Sequence, residues 1–201
     1  MRIDPSVLES LAASPIALVI TDPHLPDNPI EVANPAFCEL TGYAEQEVIG
    51  RNCRFLAGEG TADQAREQFR AAVRERKPLI VDVLNYRKDG TPFRNGVMIA
   101  PQFDDDGRIA YFIGSQVDLG QSDPDAAFNA RRSKAETQVR ALPERQRQVL
   151  EGMASGLLNK QIAYQLGIAE KTVKMHRSLM LDRLGGLTTA EAIRLAVEAG
   201  L

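Results

Sequence analysis

The chain is poor in the residues that make metal sites and disulfides, with only 2 Cys and 2 His among 201 residues. Cys38 and Cys53 cannot supply a disulfide framework, so the sequence predicts free thiols in a reducing cytoplasm. No Cys or His neighbours stand at ligand spacing, and no metal is expected. Long apolar runs are missing too. No stretch approaches the ~18 uninterrupted apolar residues of a membrane helix, which predicts a protein without a membrane-spanning segment. The opening Met1-Arg2-Ile3-Asp4-Pro5 lacks the apolar core of an export signal. There are no internal repeats, and no Gly-x-Gly-x-x-Gly follows a β-rich run to hold a nicotinamide cofactor. The remaining composition, 44% hydrophobic and 25% charged with 15 Gly and 11 Pro, excludes the disordered, collagenous and low-complexity classes.

The net charge of −3 is unevenly spread. Residues 1–120 hold 12 Lys/Arg against 18 Asp/Glu, a net of −6, whereas residues 121–201 hold 12 against 9, a net of +3. A basic rear half behind an acidic front half predicts different partners for each. The hydrophobic pattern divides at the same place. Ile16–Thr21, Leu79–Tyr86, Phe93–Ala100 and Ile109–Val117 read as strands. Asn34-Pro35 reads as a helix start, and Ala62–Glu75 as a polar helix. Beyond Val117 the strands stop. Asp123-Pro124 opens a connector helix to about Ala141 whose apolar side is mostly Ala, with Phe128 and Val139 its only large members, so it is expected to dock weakly. The predicted organisation is a sensor domain over 1–119, a connector over 120–141 and a four-helix domain over 142–201.

In the front half, Lys88-Asp89-Gly90 is a hairpin signal, and a three-residue loop with a left-handed Gly90 brings Asn85 and Asn95 to one face. A buried pair of asparagines either satisfies itself or waits for a ligand. Gln116 shares parity with Phe112 and Gly114, and a glycine inside a strand permits close approach of a ligand. Three carboxamides converging on an apolar cavity match the polar edge of a flavin or similar planar heterocycle.

The stretch Gly50-Arg51-Asn52-Cys53-Arg54-Phe55-Leu56-Ala57-Gly58 resembles the LOV (light, oxygen or voltage) subfamily of PAS domains. The resemblance continues through Val19-Ile20-Thr21-Asp22-Pro23, Leu25-Pro26-Asp27-Asn28-Pro29, Leu84-Asn85-Tyr86 and Tyr111-Phe112-Ile113-Gly114, and spans about residues 10–118. It implies an antiparallel five-stranded sheet with flanking helices and flavin mononucleotide (FMN) as chromophore. Cys53 would be the thiol that bonds ring carbon C4a reversibly after excitation, with Gln116 then reorienting. Asn52, Asn85, Asn95 and Gln116 would hydrogen-bond the flavin, and Arg54 and Arg70 its phosphate. Thr21, Asn28, Leu56, Val97, Ile99, Phe112 and Gly114 complete the implied cofactor site. Two positions depart from the family pattern, Ala57 for the usual Gln and Ala17 for the Asn of plant members, which leaves the dark-recovery rate open. The rival roles for Cys53 are an inert core thiol and a catalytic nucleophile, which lacks a nearby base because His24 and His176 lie elsewhere. No enzyme is expected.

In the rear half, Val149, Leu150, Met153 and Ala154 form one helical face, and Ile162, Ala163 and Leu166 a second, closed by Gly167. Val173, Leu179 and Leu184 are the core candidates of a third helix. Ala192, Ile193, Ala196 and Val197 form the face of a fourth. Asn159-Lys160-Gln161-Ile162-Ala163, Leu166-Gly167-Ile168 and Glu170-Lys171-Thr172-Val173-Lys174-Met175-His176-Arg177-Ser178 resemble the LuxR-type helix-turn-helix family over 143–201. That resemblance implies double-stranded promoter DNA as partner. Lys174, Met175 and Ser178 would be nearest base edges, and Lys160, Lys171, Thr172, His176 and Arg177 would mainly meet phosphates. Leu195 reads as a dimer contact, a dark-state docking contact or a harmless exposed leucine. The expected protein is an α+β sensor fused to an all-α reader. Docked and monomeric in the dark, it is released by light to dimerise on DNA, with RNA polymerase as a further partner left open. The rival functions are a PAS-type regulator sensing redox state or a ligand, and a flavin oxidoreductase.

Overall fold

A computed structural model describes residues 3, 5–120 and 124–201. The front half runs α1 (Pro5–Ala13), β1 (Ala17–Thr21), β2 (Ile30–Ala33), α2 (Pro35–Thr41), α3 (Glu45–Val48), a 3-10 turn (Cys53–Leu56), α4 (Asp63–Glu75), β3 (Leu79–Tyr86), β4 (Pro92–Phe103) and β5 (Ile109–Asp118). The rear half is helical: α5 (Pro124–Arg140), α6 (Glu144–Ala154), α7 (Asn159–Leu166), α8 (Glu170–Arg183) and α9 (Thr189–Glu198). The strands form one antiparallel sheet in the order β2-β1-β5-β4-β3. The expected fold class is the observed one. β2 and α1 are additions to the sequence reading, since four and nine residues carry too little periodicity to stand out. Asp123, predicted to open the connector, lies outside the described residues, as do Met1, Arg2 and Asp4 of the opening segment.

Local chemistry sets the ends of these elements. The amide of Asn34 is 1% exposed and ties three segments together. Its Oδ1 accepts from Phe37 N at 3.0 Å and Leu18 N at 2.9 Å, and its Nδ2 lies 2.8–3.2 Å from the carbonyls of Leu11, Ser14 and Ile16. It thus caps α2, pins β1 and holds the C-terminal end of α1. At the other end of the front half, Arg87 N donates to Thr91 O at 2.9 Å around Lys88-Asp89-Gly90, with Gly90 left-handed at φ 85°. This odd-numbered loop gives the register Val83↔Asn95 and Asn85↔Phe93, which puts both asparagines on one face.

Strand alternation gives the sheet two different faces. Val19, Thr21, Val97, Phe112 and Gln116 turn to one side. Leu18, Ile20, Met98, Ile113 and Ser115 turn to the other, and there the helical half packs. One buried cluster contains Leu18, Ile20, Met98, Ala100 and Ile113 of the sheet together with Ala135 and Val139 of α5, Leu150 of α6 and Ile193 of α9. As expected of an alanine-rich connector, the described part of α5 gives this cluster only the small Ala135 and Val139. The connector's small side lets α5 and α9 come close, and the joint core supplies the apolar contact.

The third reading helix needs a correction. Leu179 is 47% exposed, whereas its neighbour Met180 is fully buried with Val173 and Leu184. Leu179 and Met180 stand about 100° apart around the helix, and the roll of α8 turns Met180 to the core and Leu179 to solvent. Leu195 is 9% exposed, which removes the reading of it as an exposed leucine.

Replacing Asn34 by Ala strips two buried N–H groups and the carbonyls around Nδ2 of their partner at once. The expected loss is about 3 kcal/mol of unfolding free energy, read as a lower urea midpoint with an unchanged slope.

Candidate functional site

The sheet face away from the helical half is roofed by α4 and the 3-10 turn, and between them lies a cavity of about 800 Å³. All fourteen residues assigned to the cofactor from sequence line this one space. Thr21 sits at the end of β1, Asn85 on β3, Asn95, Val97 and Ile99 on β4, and Phe112, Gly114 and Gln116 on β5. Asn28 comes from the loop before β2. Asn52, Cys53, Arg54 and Leu56 come from the turn, and Arg70 from α4.

The turn that carries the thiol is built by Asn52. Its Oδ1 accepts from Arg54 N at 3.0 Å, and its Nδ2 donates to Asp27 O at 2.6 Å. These bonds hold the turn against the Asp27-Asn28 loop, and Asn52 also lines the cavity. Cys53 lines the cavity and is partly buried, and burial pushes its thiol from an ordinary 9.0 up to about 12, opposed only in part by a backbone hydrogen bond. The thiol is held neutral as S–H, the opposite of an activated thiolate nucleophile. No group of His, Cys, Asp and Glu able to hold a metal occurs among the described residues.

The carboxamides behave differently from one another. Asn95 Nδ2 donates to Asn85 Oδ1 at 2.9 Å, so the pair satisfies itself in part. Yet Asn95 Oδ1, Gln116 Oε1 and Asn28 Oδ1 are buried without a hydrogen-bond partner. Three orphan acceptors on one apolar cavity call for a ligand with N–H or O–H donors, and the imide and ribityl groups of a flavin meet that demand. Gly114 lines the cavity, and a Cβ there would also come within 2.9 Å of Val19 Cγ2, so the bare backbone makes room for Val19 as well.

At the cavity mouth Arg54 pairs with Asp27, and Arg70 lies 3.5 Å from Glu67, both in exposed positions. Arg66 and Arg74 line the same mouth. The sequence reading passed over these two, although 66, 70 and 74 recur at the four-residue spacing of one helix face.

The second candidate surface is on α7 and α8. Lys171, Lys174, Met175 and Ser178 are exposed, while Thr172, His176 and Arg177 are partly covered. Lys174 lies 2.9 Å from Glu170, and Arg177 Nη2 donates to Thr189 Oγ1 at 2.7 Å. Arg177 therefore braces α8 against the start of α9. Lys160 lies 2.6 Å from Asp105 of the β4–β5 loop.

Between the two surfaces lies Arg194 of α9, only 4% exposed and pressed on the back of the sheet. Its Nη1 donates to Gly96 O at 2.9 Å and to Ser115 Oγ at 2.9 Å, and its Nε to Glu198 Oε1 at 2.9 Å. Burial lowers its pKa, with Glu198 opposing. Gly96 and Ser115 are the chain neighbours of Asn95 and Gln116, so Arg194 grips the two cavity strands from behind. Beside it Arg131 of α5 donates to both oxygens of Asp82 on β3 at 3.1 Å.

Such a cavity beneath a five-stranded antiparallel sheet, with a helix-turn-helix unit behind it, defines a PAS sensor domain of the LOV type joined to a LuxR-type DNA-binding domain. The family models agree: one described as PAS domain matches residues 15–121, and one described as bacterial regulatory proteins, luxR family, matches residues 140–196. The chain belongs to the PAS domain family. It is 36% identical over 200 residues to "Blue-light-activated histidine kinase 1" of Erythrobacter litoralis, covering 98% of this chain and 53% of that protein. It is 48% identical over 102 residues to "Blue-light-activated histidine kinase" of Brucella canis, covering 51% and 21%. The chain thus spans about half the length of the first of these curated relatives and a fifth of the second. Among solved structures, the LOV domain of the Erythrobacter litoralis EL346 blue-light activated histidine kinase matches with a TM-score of 0.52 and 42% identity over 54% of this chain and 99% of that one. The light-state Aureochrome1 LOV domain matches with a TM-score of 0.52 and 41% identity over 55% and 84%.

A thiol lifted by about three pH units carries about a thousandfold less thiolate at neutral pH. In a Cys38→Ser variant kept dark, iodoacetamide labelling of Cys53 is expected to rise about tenfold per pH unit up to pH ~11. A plateau below pH ~9 would show the thiolate to be stabilised instead.

Proposed function

We propose that the chain is a blue-light-responsive transcription regulator that holds FMN in the front cavity and binds promoter DNA as a homodimer through α7 and α8. The convergence of the Cys53 thiol and three orphan carboxamide oxygens on one cavity carries this reading. The blue-light proteins among its relatives support light as the stimulus. The domain limits of this reading are 1–119 for the sensor, 120–141 for the connector and 142–201 for the reader.

When bound, FMN supplies blue-light absorption and an electrophilic ring carbon. Asn85, Asn95 and Gln116 hold its polar edge, Arg54 and Arg70 its phosphate, and Phe112 and Leu56 flank the ring system. With FMN bound, Cys53 would supply both the sulfur for a reversible bond to that carbon and the proton that it carries as a neutral thiol. A bound ring that gained that proton would offer a donor where it had an acceptor, and the Gln116 amide, which carries both kinds of group, would meet either state by turning.

Moving a docked population from 1:99 to 99:1 takes ~5.5 kcal/mol of differential stabilisation. One altered buried hydrogen bond supplies about 1–3 kcal/mol, so the back of the sheet must amplify it. Arg194 is suited to that. A buried guanidinium that loses its acceptors costs about 3–5 kcal/mol, and its acceptors belong to residues next to Asn95 and Gln116. Release of α9 then frees the face through which two chains pair. Contact with RNA polymerase is a further step of the same reading.

The purified chain is expected to be yellow and to bleach reversibly under blue light. Cys53→Ala should stay yellow but neither bleach nor gain DNA binding on illumination. A light response retained by that variant would point to redox sensing, and a colourless chain after reconstitution with FMN to a non-flavin ligand. Arg194→Ala should bind DNA in the dark nearly as well as the illuminated wild type, measured by fluorescence anisotropy. If it binds no better than the dark wild type, the clamp does not hold the docked state.

A further inference from the structure

The tip of the β4–β5 hairpin reaches into the helix-turn-helix unit at a place separate from α9. Phe103 N donates to Gly156 O at 3.1 Å. Gly156, at φ 78°, fits so closely that a Cβ would fall 2.3 Å from Pro101 O. Gln161 spans the joint: its Oε1 accepts from Leu158 N at 2.8 Å, and its Nε2 donates to Asp104 O at 3.4 Å. Beyond it, Lys160 Nζ meets Asp105 Oδ1 at 2.6 Å. The tip is firmly shaped, because Asp104 Oδ1 accepts from Asp106 N and Arg108 N at 2.9 Å each. By contrast Lys171, Lys174, Met175 and Ser178 of α8 face solvent.

α7 is the first helix of the motif, the one that crosses the DNA backbone, and its Lys160 is a phosphate ligand in the reading above. We propose that the hairpin tip stands in for a DNA phosphate. The Asp105 carboxylate occupies the anion position of Lys160, so the sensor's own loop and the nucleic-acid backbone compete for the same end of α7. This deepens, and rests on, the docked arrangement proposed above, adding a block on the reading surface itself to the block on dimerisation. Direct competition between two anions has a signature that steric covering of α9 lacks, since it depends on the charge of Asp105 and on the presence of Lys160.

The test is a double-mutant cycle on the full chain in the dark, with binding to a fluorescent DNA duplex of arbitrary sequence read by anisotropy. Asp105→Asn is expected to tighten binding about two- to five-fold, the scale of an exposed ion pair. The gain should vanish in a Lys160→Ala background and after illumination of the wild-type background. Asp106→Asn, which removes the same charge from a neighbour paired with Arg108 at 3.1 Å, should give a smaller gain. Equal gains from both aspartate substitutions, or a gain that survives Lys160→Ala, would mean general charge repulsion and overturn the proposal, as would no gain at all. If illumination changes nothing in any variant, light control fails, while the dark cycle still decides whether hairpin and DNA compete.

Discussion

A buried positive charge, Arg194, lies at the joint between the two halves of this chain. Arg194 sits where water cannot reach it, and its guanidinium is tolerated only while Gly96 O, Ser115 Oγ and Glu198 face it. An apolar residue in that position would slide on the sheet. A charged one fixes the register between α9 and the strands and makes the fit conditional on where two particular acceptors lie. Those acceptors belong to the same two strands whose next residues project into the cavity. The sheet is one peptide layer thick, so only that layer separates Arg194 from the cavity.

The apolar seam around this charge does a different task. Leu18, Ile20, Met98 and Ile113 share a core with α5 and α9, which provides attraction without direction. The polar pairs Asp82–Arg131 and Arg194–Glu198 provide direction. A regulator needs both. Greasy contact alone would not respond to a hydrogen-bond change on the far face of the sheet, and ion pairs alone would leave the halves loosely associated in salt.

Much of this was legible from residues alone, and the limits are instructive. Parity placed Asn85 and Asn95 on one face because a strand's period is two and the Lys88-Asp89-Gly90 loop holds an odd number of residues, whereas the face of Gln116 needed the register Val97↔Gln116. Helical spacing found the four rear helices but chose Leu179 over Met180, since apolar neighbours differ by only one step in phase and the sequence does not say which way the helix is rolled. Gly114 was read as room for a ligand, and it makes room for Val19 as well, a contact that needs the neighbouring strand in place. Arg194 was invisible as a functional residue. In sequence it is one more arginine beside a glutamate on an amphipathic helix, and only tertiary packing makes it buried. Lys160 was legible as a phosphate-contacting residue, but its partner Asp105, 55 residues away, was not.

The shared core has a consequence for how the molecule can be divided. A fragment ending after β5 would carry the complete cavity but bare a stripe of branched aliphatic side chains that normally never meets solvent. Such a piece would be surface-active. It would be drawn to pair back-to-back with a twin, and a dimer seen for that piece would report the severed face rather than any partnership of the whole chain.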